Sequence, residues 1–302
     1  MQDPTGLVHV VDDVPELQEP RESLVLVHAL DGFLDAGNAG RLAAEQLALG
    51  SRVIASFDLD VLYDYRGRRP PLTFAEDHYE DYAAPRLVLR LGQDDAGTPY
   101  LLLTGPEPDY QWERFTQAVR GLLTRFGVTL TVGLGAVPMA VPHTRPLMMT
   151  THSAQPERLE SDNIWKGHIR VPGSAAAVLE LRLGERGHRC MGFVAHVPHY
   201  VAQHDYPQAA VELVGAVSRQ TGLRLHPGAL VEAAARRAGE IATQVEGSEE
   251  IREAVEALEQ QYDAFTRASE QSLLAEDTPL PSAEELGAEF ERFLAGLDRR
   301  DD

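Results

Sequence analysis

The feature that most limits how this chain can fold is a series of eight short β-rich runs separated by segments of helical period. They are LVHVV (7–11), LVLVHAL (24–30), RVIASFDL (52–59), RLVLRLG (86–92), YLLLTG (100–105), VTLTVGLGA (128–136), LMMTTH (147–152) and RCMGFVAHV (189–197). Several are apolar almost without a break, the mark of strands covered on both faces rather than on one. Strands that alternate with helices predict an α/β fold with a largely parallel sheet. The runs at 86–92 and 100–105 are parted by DDAG, which reads as an antiparallel hairpin turn, so the sheet is expected to be mixed.

Helices are expected at 36–49 behind Asp35, at 110–126, at 174–184 behind Ser174 and at 204–220. In the second, Trp112, Phe115, Val119, Leu122 and Phe126 fall at spacings of three and four, with Asp109 as the expected N-cap. Beyond residue 225 the strands stop. Helices are expected over 228–245 and 249–274, parted by Gly247-Ser248, and a capping box at Ser282 and Glu285 opens a third. Ile251, Val255, Leu258, Tyr262 and Phe265 put one apolar stripe on an otherwise acidic helix. The chain therefore divides into a three-layer α/β/α core domain over 1–225 and an acidic helical extension over 226–302. The stripe either packs on the core or serves as an arm that meets a partner chain.

Of 302 residues, 25% are charged and the formal net charge is −20. Residues 246–302 hold five arginines against seventeen Asp and Glu, so twelve of those twenty charges lie in the extension. A field of that sign repels phosphate backbones, which argues against nucleic acid as a partner. No apolar run approaches the roughly 18 residues of a membrane span. The opening MQDPTGLVHV has no basic region followed by an apolar one, and Cys190 is the single cysteine, so the expected setting is the cytoplasm, with no membrane contact and no intrachain disulfide.

The stretch HALDGFLDAGNAG (28–40) runs from a strand through a glycine-rich turn to a helix N-terminus, a geometry that can hold an anion. It departs from a P-loop where it matters: Asn38 stands at the lysine position and Ala39 at the Ser/Thr position. Asp31 and Asp35 place negative charge where a phosphate would sit. The residue chemistry favours glycines that permit a tight turn and an Asp35 that caps the helix. Loops at the carboxyl ends of strands are nevertheless where α/β folds place ligands, so Asp31, Gly32, Asp35 and Asn38 remain candidate cleft residues.

A second constellation is HVPHYVAQHDYP (196–207), with His196, His199 and His204 beside Asp205. No HExxH or CxxC spacing accompanies it, so no metal is expected, and local hydrogen bonding with Tyr200 and Tyr206 packed alongside fits better. His143, held between prolines in VPHTRP, joins His199 and Tyr200 as a candidate ligand-binding residue. Cys190 lies in an apolar strand and reads as inert core. Glu107, flanked by prolines, reads as a cap for the helix that follows or as a carboxylate held in a cleft. Arg145 and Arg21 could each meet an anion, but as lone arginines they read as surface groups. No G-x-S-x-G or other complete catalytic or cofactor motif is present, so no catalytic residue and no cofactor are assigned.

Five motifs in order, HALDGFLDAGNAG, LLLTGPEPDYQWERF, GLGAVPMAVPHTRP, VPGSAAAVLELRLGERG and HVPHYVAQHDYPQAA, resemble the second-subunit type of the proteasome assembly chaperone family, in particular its bacterial branch with a helical C-terminal extension. The likeness spans about residues 7–225, and the extension fits as well. It implies an α/β/α sandwich similar to nucleoside-phosphorylase folds and self-association, with a trimer among the assemblies it allows. It also implies non-catalytic escort of proteasome subunits, as in eukaryotic relatives. Relatives that dock on the proteasome end in a hydrophobic-tyrosine-any tripeptide, whereas this chain ends in Arg300-Asp301-Asp302, so docking through such a tail is not expected. The reading is thus a non-catalytic, protein-binding, chaperone- or scaffold-like protein. The alternative is a hydrolase or phosphorylase acting on a nucleoside-like molecule in the cleft.

Overall fold

The computed structural model describes residues 6–11, 14–17, 23–155 and 168–274. Among these residues ten strands form: β1 (Val8–Val10), β2 (Leu24–Asp31), β3 (Arg52–Phe57), β4 (Thr73–Ala75), β5 (His78–Glu80), β6 (Val88–Gln93), β7 (Pro99–Pro106), β8 (Val128–Met139), β9 (Met149–Ser153) and β10 (Arg189–Pro198). Eight of them make one sheet in the order β1-β3-β6-β7-β2-β8-β10-β9, and β4 pairs with β5 alone. The four central strands, β7, β2, β8 and β10, run parallel. The flanking pairs are antiparallel, including the β6–β7 hairpin. The sheet is therefore mixed, as the sequence implies.

Seven α-helices accompany the strands among the described residues: α1 (Ala39–Leu47), α2 (Leu59–Leu62), α3 (Trp112–Phe126), α4 (Ala175–Gly184), α5 (Pro207–Thr221), α6 (Leu230–Glu246) and α7 (Glu249–Leu274). Successive strand residues point to opposite faces, so each central strand feeds two cores. Val25, Val27, Leu102, Val132 and Phe193 pack against α1 and α5, through Ala43, Leu47, Ala209 and Leu213. Leu24, Leu26, Leu101 and Leu103 pack against α3 and α4, through Phe115, Val119 and Leu179. The result is a three-layer α/β/α sandwich.

Leu230 and Ile241 of α6 join the α1–α5 core. On α7 only the middle of the apolar stripe is covered: Val255 is buried, while Ile251 and Phe265 stand exposed at either end. Arg145 anchors α7 to the segment after β8, with Nε and Nη2 each 2.8 Å from the Asp263 carboxylate and Nη1 3.2 Å from Glu259. Tyr262 adds a hydroxyl donated to the Pro146 carbonyl at 3.0 Å. Arg145 is thus a tie between elements and not the free surface group expected of it. The capping box at Ser282 and Glu285, and Arg21, lie outside the described residues.

Three local expectations are corrected. Asp109 does not cap α3; its carboxylate accepts from the Asp64 amide and from Arg68, both at 2.6 Å, and Gln111 takes the N-cap position with φ 58°. The run 52–59 stops as a strand at Phe57, because Asp58 accepts from the Asp60 amide at 3.0 Å and opens α2. Glu107 does cap a helix, but not the next one: its carboxylate accepts from the Ala175 amide at the head of α4.

Candidate functional site

The candidate residues lie along the carboxyl ends of the central strands, where they divide between the two helical faces of the sheet. On the α1 face the glycine-rich loop is knitted shut by its own side chains. The Asp35 carboxylate accepts from the Gly40 and Arg41 amides at 2.8 and 2.9 Å, so it caps α1 as its residue type suggests. Asn38 donates to Asp205 at 2.7 Å, and Arg41 reaches the same carboxylate oxygen at 2.8 Å. Gly37, at φ 65°, lies against Tyr206; an added Cβ would meet the Tyr206 Cβ at 2.6 Å. Gly32 is crossed by Arg68, whose Nη1 would lie 2.6 Å from an added Cβ. Arg68 also donates to the Glu107 carbonyl at 2.6 Å and stacks 4.5 Å above Tyr63. Burial raises the pKa of Asp31, with Asp35 adding to the effect, and burial raises Asp35 against the pull of its two amide donors. With the Gly40 and Arg41 amides already taken by Asp35, the helix start has little left to offer an anion.

The histidine-rich segment splits as well. His196 is buried, its Nε2 2.8 Å from the Thr150 hydroxyl. His143 Nδ1 and the Tyr200 hydroxyl are 2.7 Å apart, and the same hydroxyl accepts from the His143 amide at 2.9 Å. Burial lowers His143 and raises Tyr200. His199, Tyr200 and His204 open instead on a cavity of about 400 Å³ against α6 and α7, walled by Ile241, Val255 and Leu258. Among the described residues no three His, Cys, Asp or Glu side chains are placed to hold a metal ion. Burial pushes the Cys190 thiol up to about 12, which keeps it protonated and inert.

On the α4 face the arrangement differs, and it gathers residues from several separate motifs. Register places His28 of β2 beside Gly133 of β8, Gly133 beside Gly192 of β10, and Gly192 beside His152 of β9. The two glycines give the imidazoles room: a Cβ on Gly133 would lie 3.0 Å from the His28 ring, and one on Gly192 would lie 2.3 Å from the His152 ring. Glu180 of α4 meets His152 Nδ1 at 3.0 Å. His28 is only 5% exposed, and among the described residues its Nδ1 has no hydrogen-bond partner. Burial pushes its pKa down to about 4, so the ring is neutral at pH 7. These groups line a cleft of about 200 Å³ with Glu107, Phe33 and Leu34 at its rim. Burial also raises Glu107. The signal that could have found this row is the pair of glycines inside apolar strands, which mark a close approach by another group.

Comparison with known proteins gives the chain its relatives. The PAC2 family model matches residues 29–245. The crystal structure of a Mycobacterium tuberculosis protein of unknown function, Rv2714, is 47% identical over 89% of this chain and 93% of that one, with a TM-score of 0.85. A Corynebacterium glutamicum protein of unknown function is 37% identical over 87% and 98%, with a TM-score of 0.81. The M. tuberculosis proteasome-assembly chaperone homologue Rv2125 is 24% identical over 77% and 100%, with a TM-score of 0.71, and shares the fold. No curated protein matches the chain. No described helix is long and apolar enough to cross a membrane.

Proposed function

We propose, from the premise that this chain belongs to the PAC2 family, that it works in the cytoplasm by binding protein chains as a chaperone or scaffold, without catalysis. Self-association is part of the proposal, as are proteasome subunits or another protein as the partner. The observation that carries it is the apolar rim beside α4. Phe33 is 52% exposed and Leu34 46%, and both share the cleft mouth with Ala177. Leu181, one turn beyond Ala177 on the same helix face, is 55% exposed. A helix apolar on its outward side as well as its inward one is suited to burial against another chain. The division into a core to residue 225 and a helical extension beyond it belongs to the same proposal, and limited proteolysis reads its boundary.

The enzymatic alternative drew its motivation from Asp31, Asp35, Asn38, His199 and Tyr200. Asp35 and Asn38 are engaged within the α1 loop, and His199 and Tyr200 open on a different cavity. That separation supports the protein-binding reading. The test is native mass spectrometry of wild type and of Phe33→Asp/Leu34→Asp. A defined homo-oligomer that the double substitution reduces to monomer supports the proposal. A strictly monomeric wild type that captures no partner overturns it.

A further inference from the structure

The cleft under α4 is a second feature of the same face, and its chemistry points to something the apolar rim does not require. Its polar lining is His28, His152, Ser174, Glu107 and Glu180, with neither Arg nor Lys among its described residues. The two guanidinium groups nearby are engaged elsewhere. Arg68 is held by Asp109 and by the Glu107 carbonyl, and Arg41 by Glu45 and Asp205. Two of the amides at the head of α4 are taken within the chain, Ala175 by Glu107 and Ala177 by Ser174. Among the described residues an anion would therefore find two carboxylates and no positively charged group.

The acceptors, by contrast, are in surplus. Glu107 and Glu180 each use one carboxylate oxygen internally, and among the described residues the second oxygen of each has no hydrogen-bond partner. His28 adds a buried ring nitrogen without a partner. A neutral imidazole has one nitrogen that accepts, and buried polar groups left unpaired are costly unless something meets them. An ammonium group carries three donors and no acceptor. The rest of the wall is apolar, with Leu30, Phe33, Leu34, Phe193 and Val194. At about 200 Å³, the cleft falls below the roughly 300–1,000 Å³ of drug-sized sites, so its ligand is small.

We propose that the cleft beneath α4 binds a primary ammonium group on a short apolar stem, with His28, Glu107 and Glu180 as acceptors and Leu30, Phe33 and Leu34 around the stem. The proposal does not rest on the protein-binding reading. A free amine and the lysine side chain of another polypeptide share this chemistry.

The full-length chain is titrated calorimetrically at pH 7 with phenethylamine, 2-phenylethanol and phenylacetate. Saturable binding of phenethylamine is expected, with no detectable binding of phenylacetate. Glu180→Gln is expected to weaken phenethylamine about tenfold, the typical worth of one charge-assisted hydrogen bond. His28→Gln is expected to weaken it similarly. Should that variant fold poorly, a shift of the His28 ring nitrogen resonances in the wild-type protein on adding phenethylamine replaces it. A blocked Gly-Lys-Gly peptide that binds as tightly supports the proposal with a polypeptide as the source; one that binds weakly, beside tight phenethylamine, supports it with a free amine. The proposal is overturned if phenethylamine does not bind saturably, if phenylacetate or phenylethanol binds as well, or if Glu180→Gln leaves affinity unchanged.

Discussion

The two faces of the sheet at the carboxyl end of β2 make opposite use of glycine. On the α1 face, Gly37 brings the loop against Tyr206, and three side chains of the turn and helix start find partners within the chain: Asp35 on two amides, Asn38 and Arg41 on Asp205. On the α4 face, Gly133 and Gly192 make room for imidazoles, and His28 is left with an unpaired nitrogen beside a cleft. The first face carries the glycine-rich turn and is closed. The second draws single residues from several of the motifs and keeps its acceptors free. A glycine-rich turn reports backbone geometry; only the partners of the side chains around it report whether chemistry is left over.

The sharpest way to break this contrast is Gly37→Val. A β-branched residue at positive φ, with its Cβ driven toward Tyr206, is expected to destabilise the fold by about 4 kcal/mol. Urea unfolding reads the change. A loss under 1 kcal/mol would mean that the α1 loop is as adaptable as the cleft.

His28 gives the next largest effect. Its pKa is pushed from 6.5 to about 4 by burial, with Glu180 opposing and His152 adding to the shift. Between those values the unfolded chain binds more protons than the folded one. Stability is therefore whole above pH 6.5 and falls as the pH drops toward 4, by about 3 kcal/mol in all. Asp31, Asp35 and Glu107 have raised values, so they act in the opposite sense, favouring the folded state as the pH falls through their own range. The quantity to compare is thus the pH slope of wild type against that of His28→Gln, which is expected to be flatter on the acid side of neutrality.

Asp35→Ala removes the cap of α1 and is expected to cost about 1–2 kcal/mol. It should leave phenethylamine binding unchanged, because Asp35 belongs to the closed face. A loss of binding with no loss of stability would reverse the assignment of the two faces. The smallest effect is expected from Gly192→Ala. Its Cβ would press on the His152 ring, whose side chain is 44% exposed and can swing away, so the cost is about 1 kcal/mol. The accompanying loss of the His152–Glu180 contact is read in the ring resonances of His152.

Much of the fold was legible because apolar runs covered on both faces leave a direct trace in sequence. The central strands β2, β7, β8 and β10 all lie where their runs predict, and α7 begins at the expected residue. The β4–β5 hairpin was not legible, since TFA and HYE are three-residue strands without an apolar alternation. Helix caps were legible when local, as with Ser174 on α4, and misleading when a distant chain segment competed, as Arg68 and Asp64 do for Asp109. The site was the least legible part. Asp31, Gly32, Asp35 and Asn38 were singled out by a loop pattern that lies within one stretch of chain. The row from His28 through Gly133 and Gly192 to His152 exists only through the register of four strands, and register is a tertiary property that no single segment carries.

The central claim, that the α4 face is the working face and the α1 face is scaffold, is tested most directly by amide hydrogen exchange of the full chain at low and high protein concentration. The account predicts that protection rises with concentration at Phe33, Leu34 and along α4, while α1 and the turn at Gly37 stay unchanged. A rise confined to α1, or no change on either face, would contradict it.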